Sequence, residues 1–498
     1  MNGSPYTSFI DGRFIPNSAD LIFETYDPST EQSLGTVAVA TKEDVNKAVA
    51  VARQAFDSGP WPKMAPCERA NILMNMADGL EERSEALAKL ETHDTGLPLS
   101  MTQGGHIPRA VAHFRHFAME AERLYGQVYP KERSYLNLVM REPVGVVAIF
   151  SPWNAPLSVT TMNTAAALCC GNTCIIKPSE YAPLTASTLA QIANEAELPP
   201  GVLNILQGPA EPTGKALASH DGIDVISFTG GTETGKKIMA AAARGLKRVA
   251  FELGGKSPNI IFEDADFERA VDGALLLIFA NNGEVCTAGS RILVQRRLYD
   301  KFLDSFASRA ASIRVGDPLS FDTEMGPLIS DLHLKRVIEC TQRAVEQGAR
   351  LICGGKRPSS PSIGHYFMPT VLADVDNQMR IAQSEVFGPV AAVIPFETEV
   401  EAIELANASK YGLAAYVWSS NVERALKVAA QIRAGNIGIN SPLIRDISVP
   451  FGGYKHSGIG RTGGQSSIDL FTEVKATSLP IQPFIFPRLG QDVGHKLP

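Results

Sequence analysis

The sequence contains no long apolar run and no excess of positive charge. Its 498 residues carry a formal net charge of −7, which predicts no surface for nucleic acid. The longest apolar runs, such as residues 274–280, fall well short of the roughly 20 residues that span a membrane, so no membrane segment is expected. Residues 1–5 lack a basic start followed by an apolar stretch, which predicts that there is no signal peptide.

Cysteine is sparse, and its pattern is not that of a metal site or a disulfide framework. The seven cysteines form no Cys-x-x-Cys pair, and no cluster of histidines accompanies them. We therefore expect a reduced, cytoplasmic protein without a metal site. Hydrophobic content of 44% and charged content of 20% are typical of a globular chain, and the length predicts two or three domains.

Between residues 144 and 252, short β-branched runs alternate with helix-like stretches. This alternation predicts an α/β fold with a parallel sheet and helices on both faces. Such a sheet binds ligands beyond the carboxyl ends of its strands. The predicted strands are residues 144–150, 173–177, 202–206, 224–228 and 247–252. The predicted helices lie near 157–170, 184–196, 212–220 and 232–243.

The alternation resumes with different spacing after residue 255, which predicts a second α/β domain. Its predicted strands are residues 291–295, 387–396, 413–419 and 435–440. Its predicted helices lie near 266–281, 298–310, 333–347, 398–407 and 421–432.

The remaining segments fit neither alternation. Residues 9–14 have the pattern of a small hairpin, and the chain from there to residue 125 is predicted to be mostly helical. Residues 126–143 and 468–480 are predicted to be extended. They are expected to form a third, small sheet.

Polar residues with a chemical use follow the first two predicted strands. Asn154, in Ser-Pro-Trp-Asn, can donate its side-chain amide to a developing oxyanion, or it can be an ordinary turn residue. Lys177 and Glu180, in Lys-Pro-Ser-Glu, can hold the hydroxyls of a ribose, or they can form an exposed loop.

A glycine-rich segment, residues 228–235, follows the fourth predicted strand and opens a helix. Glycines let backbone amides approach a phosphate, and a helix N-terminus favours an anion. The segment is not Gly-x-Gly-x-x-Gly, and it does not follow the first strand, so it differs from the Rossmann fingerprint. A glycine-rich helix cap is the alternative reading.

Cys286 and Glu252 suggest covalent catalysis. Cys286 is followed by Thr-Ala-Gly-Ser, small residues that allow a substrate to approach the thiol. Glu252, at the end of a predicted strand, can manage protons on a thiol or on water. Taken singly, a cysteine is more often a buried small hydrophobe, and a glutamate at a strand end is more often merely solvated. Glu385 and Phe387, in Glu-Val-Phe-Gly-Pro, and a glycine-rich loop at residues 450–461 complete the set.

Together these segments resemble the aldehyde dehydrogenase superfamily over nearly the whole chain, because the motifs occur in family order. They are Pro-Trp-Asn, Lys-Pro-Ser-Glu, Phe-Thr-Gly, Glu-Leu-Gly-Gly-Lys, Gly-x-x-Cys, Glu-x-Phe-Gly-Pro and Pro-Phe-Gly-Gly. The resemblance implies an aldehyde dehydrogenase-like α/β fold in a homodimer or homotetramer. It divides the chain into an NAD-binding domain (residues 1–125 and 144–254), a catalytic domain (255–467) and two oligomerisation segments (126–143 and 468–480).

The resemblance also implies the roles of the reacting groups. Cys286 is the nucleophile that attacks the aldehyde, and Asn154 forms the oxyanion hole with the backbone N–H of Cys286. Hydride leaves the thiohemiacetal to give a thioester, and Glu252 activates the water that hydrolyses it.

The implied cofactor is NAD. Its adenosine ribose is assigned to Lys177 and Glu180, its nicotinamide ribose to Glu385, and its pyrophosphate to a position beside Gly230 and Gly231. Phe387 and Trp153 are placed with these cofactor residues. Glu180 is expected to favour NAD over NADP, since a carboxylate repels a 2′-phosphate by about 4 kcal/mol at ~4 Å and an effective dielectric constant near ~20.

Two positions depart from the family pattern. Gly231 stands where the family often has serine, and it loses a hydroxyl near the phosphates. Thr462 stands where many members have an acidic residue. If that acid relays protons, this chain must rely on Glu252 or solvent instead.

One stretch points to the substrate. Residues 440–446, Asn-Ser-Pro-Leu-Ile-Arg-Asp, are similar to Asn-x-x-x-Val-Arg-Asp of the 2-hydroxymuconate and 5-carboxymethyl-2-hydroxymuconate semialdehyde dehydrogenases, with Ile444 replacing valine. Residues 107–110, Ile-Pro-Arg-Ala, are similar to a segment of the same subgroup. The resemblance implies that Arg109 and Arg445 bind a substrate carboxylate, as guanidinium groups can do bidentately.

Other readings remain open at this stage. Both arginines can be surface residues, and Asp446 can neutralise Arg445. The enzyme can act on neutral aromatic or aliphatic aldehydes, or it can pass the acyl group to CoA, although Glu252 argues against CoA. A non-catalytic protein that kept the fold is disfavoured by Cys286, Glu252 and Asn154. Residues 487–498 receive no role.

Overall fold

The computed structural model describes residues 6–16, 21–129, 135–442, 445–483 and 489–490. Predictions that concern residues 1–5, 130–134 and Ile444, and most of residues 487–498, lie outside the described residues.

The chain up to residue 129 begins with short strands and continues as helices, as predicted. Its strands are β1 (Phe9–Ile10), β2 (Arg13–Phe14), β3 (Ile22–Tyr26), β4 (Ser33–Ala38) and β5 (Gln127–Tyr129). Its helices are α1 (Lys42–Asp57), α2 (Pro66–Glu82), α3 (Ser84–Thr95), α4 (Leu99–Met101) and α5 (Ile107–Ala121). The hairpin β1–β2 is confirmed, whereas the hairpin β3–β4 was not predicted.

Residues 135–252 form the predicted alternation, and every boundary of its five predicted strands is within two residues of the prediction. The strands are β6 (Tyr135–Pro143), β7 (Val146–Phe150), β8 (Thr173–Lys177), β9 (Leu203–Ile205), β10 (Val225–Thr229) and β11 (Arg248–Glu252). The helices are α6 (Pro156–Cys169), α7 (Leu184–Glu195), α8 (Lys215–Ser219) and α9 (Thr232–Ala243).

The strands from residue 258 onwards are β12 (Pro258–Ile261), β13 (Arg291–Gln295), β14 (Arg350–Cys353), β15 (Thr370–Ala373), β16 (Val390–Phe396), β17 (Ala414–Trp418), β18 (Asn436–Ile439), β19 (Gly458–Ile459) and β20 (Thr472–Pro480). The second alternation comprises seven of them, the four predicted strands and three further ones, β12, β14 and β15, whereas β19 pairs with β11 and β20 with β6. The helices are α10 (Phe267–Phe279), α11 (Arg296–Ala311), α12 (Asp331–Glu346), α13 (Arg380–Gln383), α14 (Glu399–Asn407), α15 (Val422–Gln431) and α16 (Gly464–Phe471).

The first large sheet has the strand order β19-β11-β10-β7-β8-β9-β1-β2. Strands β7 to β11 are mutually parallel, and β1 and β19 join their two sides in antiparallel fashion. Val147 and Ile149 face one hydrophobic core, and Val146 and Ala148 face another. Both faces are therefore covered, as a parallel sheet requires, and the carboxyl ends of β7, β8, β10 and β11 meet at one edge.

The second large sheet has the order β14-β15-β16-β13-β12-β17-β18, with only β14 antiparallel. Its strand β13 begins five residues after Cys286, and β12 begins six residues after Glu252. Glu252 thus ends a strand of the first sheet, and Cys286 lies in the loop that leads into a strand of the second. The fold is α/β, as predicted.

The third sheet is antiparallel, in the order β20-β6-β5. The prediction that residues 468–480 are extended is wrong for residues 468–471, which end helix α16. Ile468 and Phe471 lie one helical turn apart and are buried in the first core, and this burial stabilises the helix up to Phe471.

Candidate functional site

The structure brings Asn154 against the loop that contains Cys286. The Asn154 side-chain amide donates to the backbone carbonyl of Glu284 at 2.8 Å. Asn281 Nδ2 in turn donates to the backbone carbonyl of Asn154 at 3.0 Å. The loop after β7 and the loop after α10 are thus tied together on both sides of the amide.

Two asparagines shape the Cys286 loop, and the sequence predictions missed both. Asn281 and Asn282 have left-handed backbones with φ of 53° and 57°, a conformation that asparagine tolerates better than most residues. Asn282 Oδ1 accepts from the N–H of Gly326 at 2.7 Å, and its Nδ2 donates to the carbonyl of Pro327 at 2.8 Å. The Asn-Asn-Gly sequence is a turn signal that could have indicated this bend.

Close approach explains the glycines of Glu-Leu-Gly-Gly-Lys. A Cβ at Gly255 would lie 2.5 Å from the backbone oxygen of Cys286, and a Cβ at Gly254 would lie 2.0 Å from Glu385 Oε2. The backbone N–H of Gly255 donates to Glu385 Oε1 at 3.0 Å. Side chains at these two positions would push Cys286 and Glu385 away from the end of β11.

Glu252 is buried at the end of β11, with 7% of its surface exposed. Burial raises the pKa of its carboxyl to about 8, against the opposing charges of Arg445 and Arg461. Its Oε2 has no hydrogen-bond partner in the described part of the chain. Gly452 allows this approach, since a Cβ there would lie 2.9 Å from Glu252 Oε1. The carboxyl can therefore exchange a proton near neutral pH.

The Cys286 thiol lies among charged groups of both signs. Burial raises its pKa, and the carboxylates of Glu385 and Glu252 raise it further, whereas Arg445 lowers it. Arg445 Nη2 lies 3.8 Å from Cys286 Sγ. Cys286 is one of seven free cysteines, and its contact with a guanidinium distinguishes it from the buried Cys174, whose pKa is raised by burial.

Arg109 and Arg445 lie side by side in a cleft. Arg109 Nη2 donates to the backbone carbonyl of Arg445 at 2.8 Å. Burial and the charge of Arg445 lower the pKa of Arg109 to about 10. Both arginines are half-buried. The cleft is lined by Arg109, His113, Met162, Arg445, Phe451 and Thr462, among others.

Asp446 is turned away from Arg445. It accepts from the backbone N–H and the hydroxyl of Ser448 at 2.9 and 2.6 Å. The Arg445 guanidinium instead stacks on Phe451, 4.0 Å from the ring centroid. Its donors therefore remain directed to the cleft and the thiol.

His113 is a further residue of the cleft that the sequence predictions missed. Its Nδ1 lies 3.1 Å from Thr161 Oγ1. Burial, and the charges of Arg109 and Arg445, lower its pKa to about 3. His113 is therefore neutral at physiological pH. It lies one helical turn after Arg109 on α5, and this spacing was the available signal.

Lys177 and Glu180 form an ion pair beyond the carboxyl end of β8, with Lys177 Nζ 3.1 Å from Glu180 Oε2. Lys177 is buried, and burial lowers its pKa. Glu180 Oε1 also lies within reach of the Ala210 backbone N–H, at 3.4 Å. The pair lies at the sheet edge where the sequence predicts a ribose.

Gly230 and Gly231 lead from β10 into α9. The backbone N–H of Gly230 donates to the carbonyl of Glu252 at 3.0 Å, which fixes the turn beside β11. Gly231 precedes the first residue of α9. A Cβ at Gly231 would meet no atom within 4 Å, so the helix N-terminus is open to an anion.

Glu385, Phe387 and Trp153 lie on the other side of Cys286. Burial raises the pKa of Glu385 to about 7. Phe387 has a positive φ of 61°, and its ring meets that of Trp153 edge-on at 5.2 Å between centroids. The carbonyl of Phe387 lies 2.6 Å from His333 Nε2. The Trp153 ring and the His333 contact together fix the position of Phe387.

Comparison with known proteins identifies the family to which the chain belongs. The family model described as Aldehyde dehydrogenase family matches residues 14–477. The chain belongs to the aldehyde dehydrogenase family, a family of oxidoreductases.

Individual relatives are similar over almost their whole length. The 5-carboxymethyl-2-hydroxymuconate semialdehyde dehydrogenase of Escherichia coli is 45% identical over 449 residues, covering 89% of this chain and 94% of the relative. The betaine aldehyde dehydrogenase of Bacillus subtilis is 42% identical over 475 residues, covering 94% of this chain and 96% of the relative. The structure of an aldehyde dehydrogenase from Bacillus cereus in complex with NAD⁺ superimposes with a TM-score of 0.94 at 41% identity, covering 96% of this chain and 97% of that one.

Two further properties of this aldehyde dehydrogenase concern what it lacks. Within the described ranges, no helix is long and apolar enough to cross a membrane. The same part of the chain contains no group of His, Cys, Asp and Glu side chains that could hold a metal ion.

Proposed function

We propose that this aldehyde dehydrogenase oxidises a carboxylate-bearing semialdehyde from aromatic ring cleavage to the dicarboxylic acid. Examples are 2-hydroxymuconate and 5-carboxymethyl-2-hydroxymuconate semialdehyde. The cofactor is NAD. The observation that carries the proposal is the line of contacts from Arg109 to the Arg445 carbonyl at 2.8 Å and from Arg445 to Cys286 Sγ at 3.8 Å.

Cys286 Sγ attacks the aldehyde carbon, and two N–H groups receive the oxyanion. One is the backbone N–H of Cys286. The other comes from Asn154, whose Nδ2 has a second N–H besides the one that is donated to Glu284. Donors of this kind stabilise the transition state by about 3–4 kcal/mol.

Glu252 then serves as the base that activates water against the thioester. Its raised pKa suits it to accept a proton near neutral pH and to release it again. Thr462, which stands where many relatives have an acid, provides a hydroxyl and no carboxylate. The proton therefore leaves Glu252 through solvent in the cleft that Thr462 lines.

The residues at the edge of the first sheet fit NAD. Lys177 and Glu180 hold the adenosine ribose, Gly230 and Gly231 leave room for the pyrophosphate, and Glu385 holds the nicotinamide ribose. Trp153 and Phe387 form a wall beside it. When bound, NAD supplies the acceptor for the hydride of the thiohemiacetal. Glu180 is expected to disfavour the 2′-phosphate of NADP.

Identity to relatives does not select the substrate, because relatives of similar identity are named for different aldehydes. The charge of the cleft is more informative. Two guanidinium groups, set against the carboxylate of Asp446 that also lines the cleft, attract a carboxylate bidentately, and they repel the positive charge that betaine aldehyde carries. An anionic aldehyde is therefore favoured over a cationic one.

The proposal is tested by following NADH formation with 2-hydroxymuconate semialdehyde and with a neutral aldehyde of similar size. We expect the higher kcat/KM for the semialdehyde. A higher kcat/KM for the neutral compound would contradict the substrate proposal. A product assay with and without CoA separates hydrolysis from acyl transfer, and Cys286→Ala should keep NAD binding while losing turnover.

A dehydrogenase for neutral aromatic or aliphatic aldehydes is the second candidate. Met162, Val449 and Phe451 also line the cleft, and these apolar side chains suit an uncharged aldehyde. Under this reading Arg445→Ala changes kcat/KM little for any aldehyde.

The assembly is proposed to be a homodimer or homotetramer in the cytoplasm, with the domain boundaries given by the family resemblance. The outer strands β20 and β5 of the third sheet support self-association, because strand edges can pair with another chain. Val474, Leu479 and Val128 on these strands are more than half exposed. Light scattering of the purified protein gives the number of chains.

A further inference from the structure

Arg445 contacts the reacting sulfur itself, which binding of a distant carboxylate does not require. Its Nη2 lies 3.8 Å from Cys286 Sγ. In a ring-cleavage semialdehyde, a carbon chain separates the aldehyde from the carboxylate. An arginine that bound only the carboxylate would lie away from the thiol, as Arg109 does.

Two contacts hold the guanidinium in this place, one to the backbone of Arg445 and one to the ring of Phe451. Arg109 anchors the Arg445 carbonyl at 2.8 Å. Phe451 supports the face of the guanidinium at 4.0 Å, a cation–π contact that arginine makes well. A guanidinium has five N–H donors. Nη2 can therefore face the sulfur while other donors face the cleft.

The other charged groups that act on Cys286 are both carboxylates. Glu252 comes from the end of β11 and Glu385 from the segment before β16, and each of them, like burial, disfavours a thiolate. Among the groups of the described chain that act on the sulfur, Arg445 alone carries a positive charge. Without Arg445 the nucleophile would face only groups that keep it protonated.

We propose that Arg445 is a catalytic residue that stabilises the Cys286 thiolate before the aldehyde binds, in addition to receiving the substrate carboxylate. The inference rests on the proposed role of Cys286 as the nucleophile, and it holds for neutral aldehydes as well. The S–H proton passes to water in the cleft, and its electron pair stays on sulfur for attack on the carbonyl carbon. The same guanidinium thus links the nucleophile to the charge of the substrate.

The test is alkylation of Cys286 by iodoacetamide as a function of pH, with neither aldehyde nor cofactor added. Mass spectrometry of the Cys286 peptide separates it from the six other cysteines. In Arg445→Gln we expect the midpoint of the pH profile to rise by about one unit and the rate at neutral pH to fall about tenfold. Arg445→Lys keeps the charge and should recover part of the rate.

Arg296→Gln is the matched control, because it also removes a guanidinium stacked on an aromatic ring, that of Tyr299 at 5.5 Å, at the end of β13 away from Cys286. Its alkylation midpoint should stay that of the wild type. Arg109→Gln reports on the carboxylate instead, since it should lose the preference for the carboxylate-bearing aldehyde. Thermal unfolding and NAD binding of each variant show whether it is folded. The kcat/KM for a neutral aldehyde supplies a second readout, since its acid limb should move upward in Arg445→Gln and stay in place in Arg296→Gln.

The outcomes separate this inference from the proposed function. An unchanged midpoint in folded Arg445→Gln, with Arg445→Gln and Arg109→Gln both losing the preference for the semialdehyde, would overturn the inference and leave the function standing. A shifted midpoint without any preference for the semialdehyde in the wild type would overturn the substrate proposal and leave the inference standing.

Discussion

The side-chain amide of Asn154 and the backbone carbonyl of Glu284 are joined by a 2.8 Å hydrogen bond. This bond fixes the rotation of the Asn154 amide against Glu284, which lies two residues before Cys286 in the chain. Asn281 reinforces it by donating to the Asn154 carbonyl at 3.0 Å and to the Glu284 carbonyl at 3.3 Å. The proposed oxyanion donor is thus preorganised by the loop of the proposed nucleophile, and this arrangement avoids reorganisation during attack.

Asn154→Ala should lower kcat by about 10²–10³-fold, because it removes one of the two proposed oxyanion donors. Steady-state NADH formation measures the loss, and a fluorescence titration should give an unchanged Kd for NAD. Asn194→Ala is a matched control, since Asn194 also donates to a backbone carbonyl, that of Gly12 at 2.8 Å, but on the outside of the first sheet. Equal kcat values in the two variants would remove Asn154 from the mechanism.

Glu252→Gln should stop hydrolysis of the thioester while leaving its formation intact. An amide cannot accept the proton of water, so stopped-flow NADH traces are expected to show a burst followed by a slow steady state. In the wild type, hydrolysis should speed up as pH rises towards about 8, where the Glu252 carboxyl becomes ionised. Traces of the variant that lack a burst and reach the steady-state rate of the wild type would contradict this role of Glu252.

The same carboxyl makes stability depend on pH. The folded-state pKa of Glu252, about 8, lies above its ordinary value of 4.5. A group whose folded pKa is raised binds more protons in the folded state, so its contribution to stability is complete below about 4.5 and is lost as pH rises to about 8. Glu252→Gln lacks this loss. Its Tm relative to the wild type should therefore increase between these pH values in parallel differential scanning calorimetry runs.

Much of the fold was predictable because its strands are short, β-branched and buried, so that their pattern is local. Val146–Phe150 and Thr173–Lys177 are buried at every residue. Two of the strands that escaped prediction carry a weaker signal. Pro258–Ile261 has four residues and begins with a proline, and Arg350–Cys353 is a partly exposed edge strand with a charged first residue.

The site was predictable where its motifs are contiguous and not where its contacts join distant segments. Motif order gave Cys286, Glu252 and Asn154 together. His113 and Asn282 reach the site through packing between helices and loops that no local pattern records. The glycines at 254 and 255 were quoted as part of a motif, whereas their purpose, the close approach of Glu385 and Cys286, follows only from the three-dimensional arrangement.

Arg109→Gln should lower kcat/KM for the carboxylate-bearing aldehyde by about 10- to 100-fold, since a hydrogen bond to a charged group contributes about 1.5–3 kcal/mol. The kcat/KM for a neutral aldehyde should fall less, because a neutral substrate has no carboxylate for Arg109 to bind. Both substrates are assayed in one buffer at two salt concentrations. A parallel loss for the two aldehydes would indicate damage to the cleft and not the loss of a carboxylate partner.

Gly231→Ser should strengthen NAD binding, whereas Gly230→Ser should lower the free energy of unfolding of the protein. At Gly231 a Cβ would meet nothing within 4 Å, and φ is −70°, so serine fits. Its hydroxyl can cap α9, which adds a few tenths of a kcal/mol to the free energy of unfolding. The same hydroxyl can donate to the pyrophosphate and lower the Kd of NAD about two- to tenfold.

At Gly230 a Cβ would lie 2.6 Å from the Phe228 ring. That ring is held by Phe150 and Phe251 at 6.3 and 6.0 Å between centroids, so it has little room to yield. Overpacking of this kind costs about 1–3 kcal/mol. Isothermal titration with NAD and thermal unfolding of the two variants measure both effects. If Gly231→Ser bound NAD more weakly than the wild type did, the N-terminus of α9 would not be the pyrophosphate site, since the open space there admits a serine without any shift of the backbone.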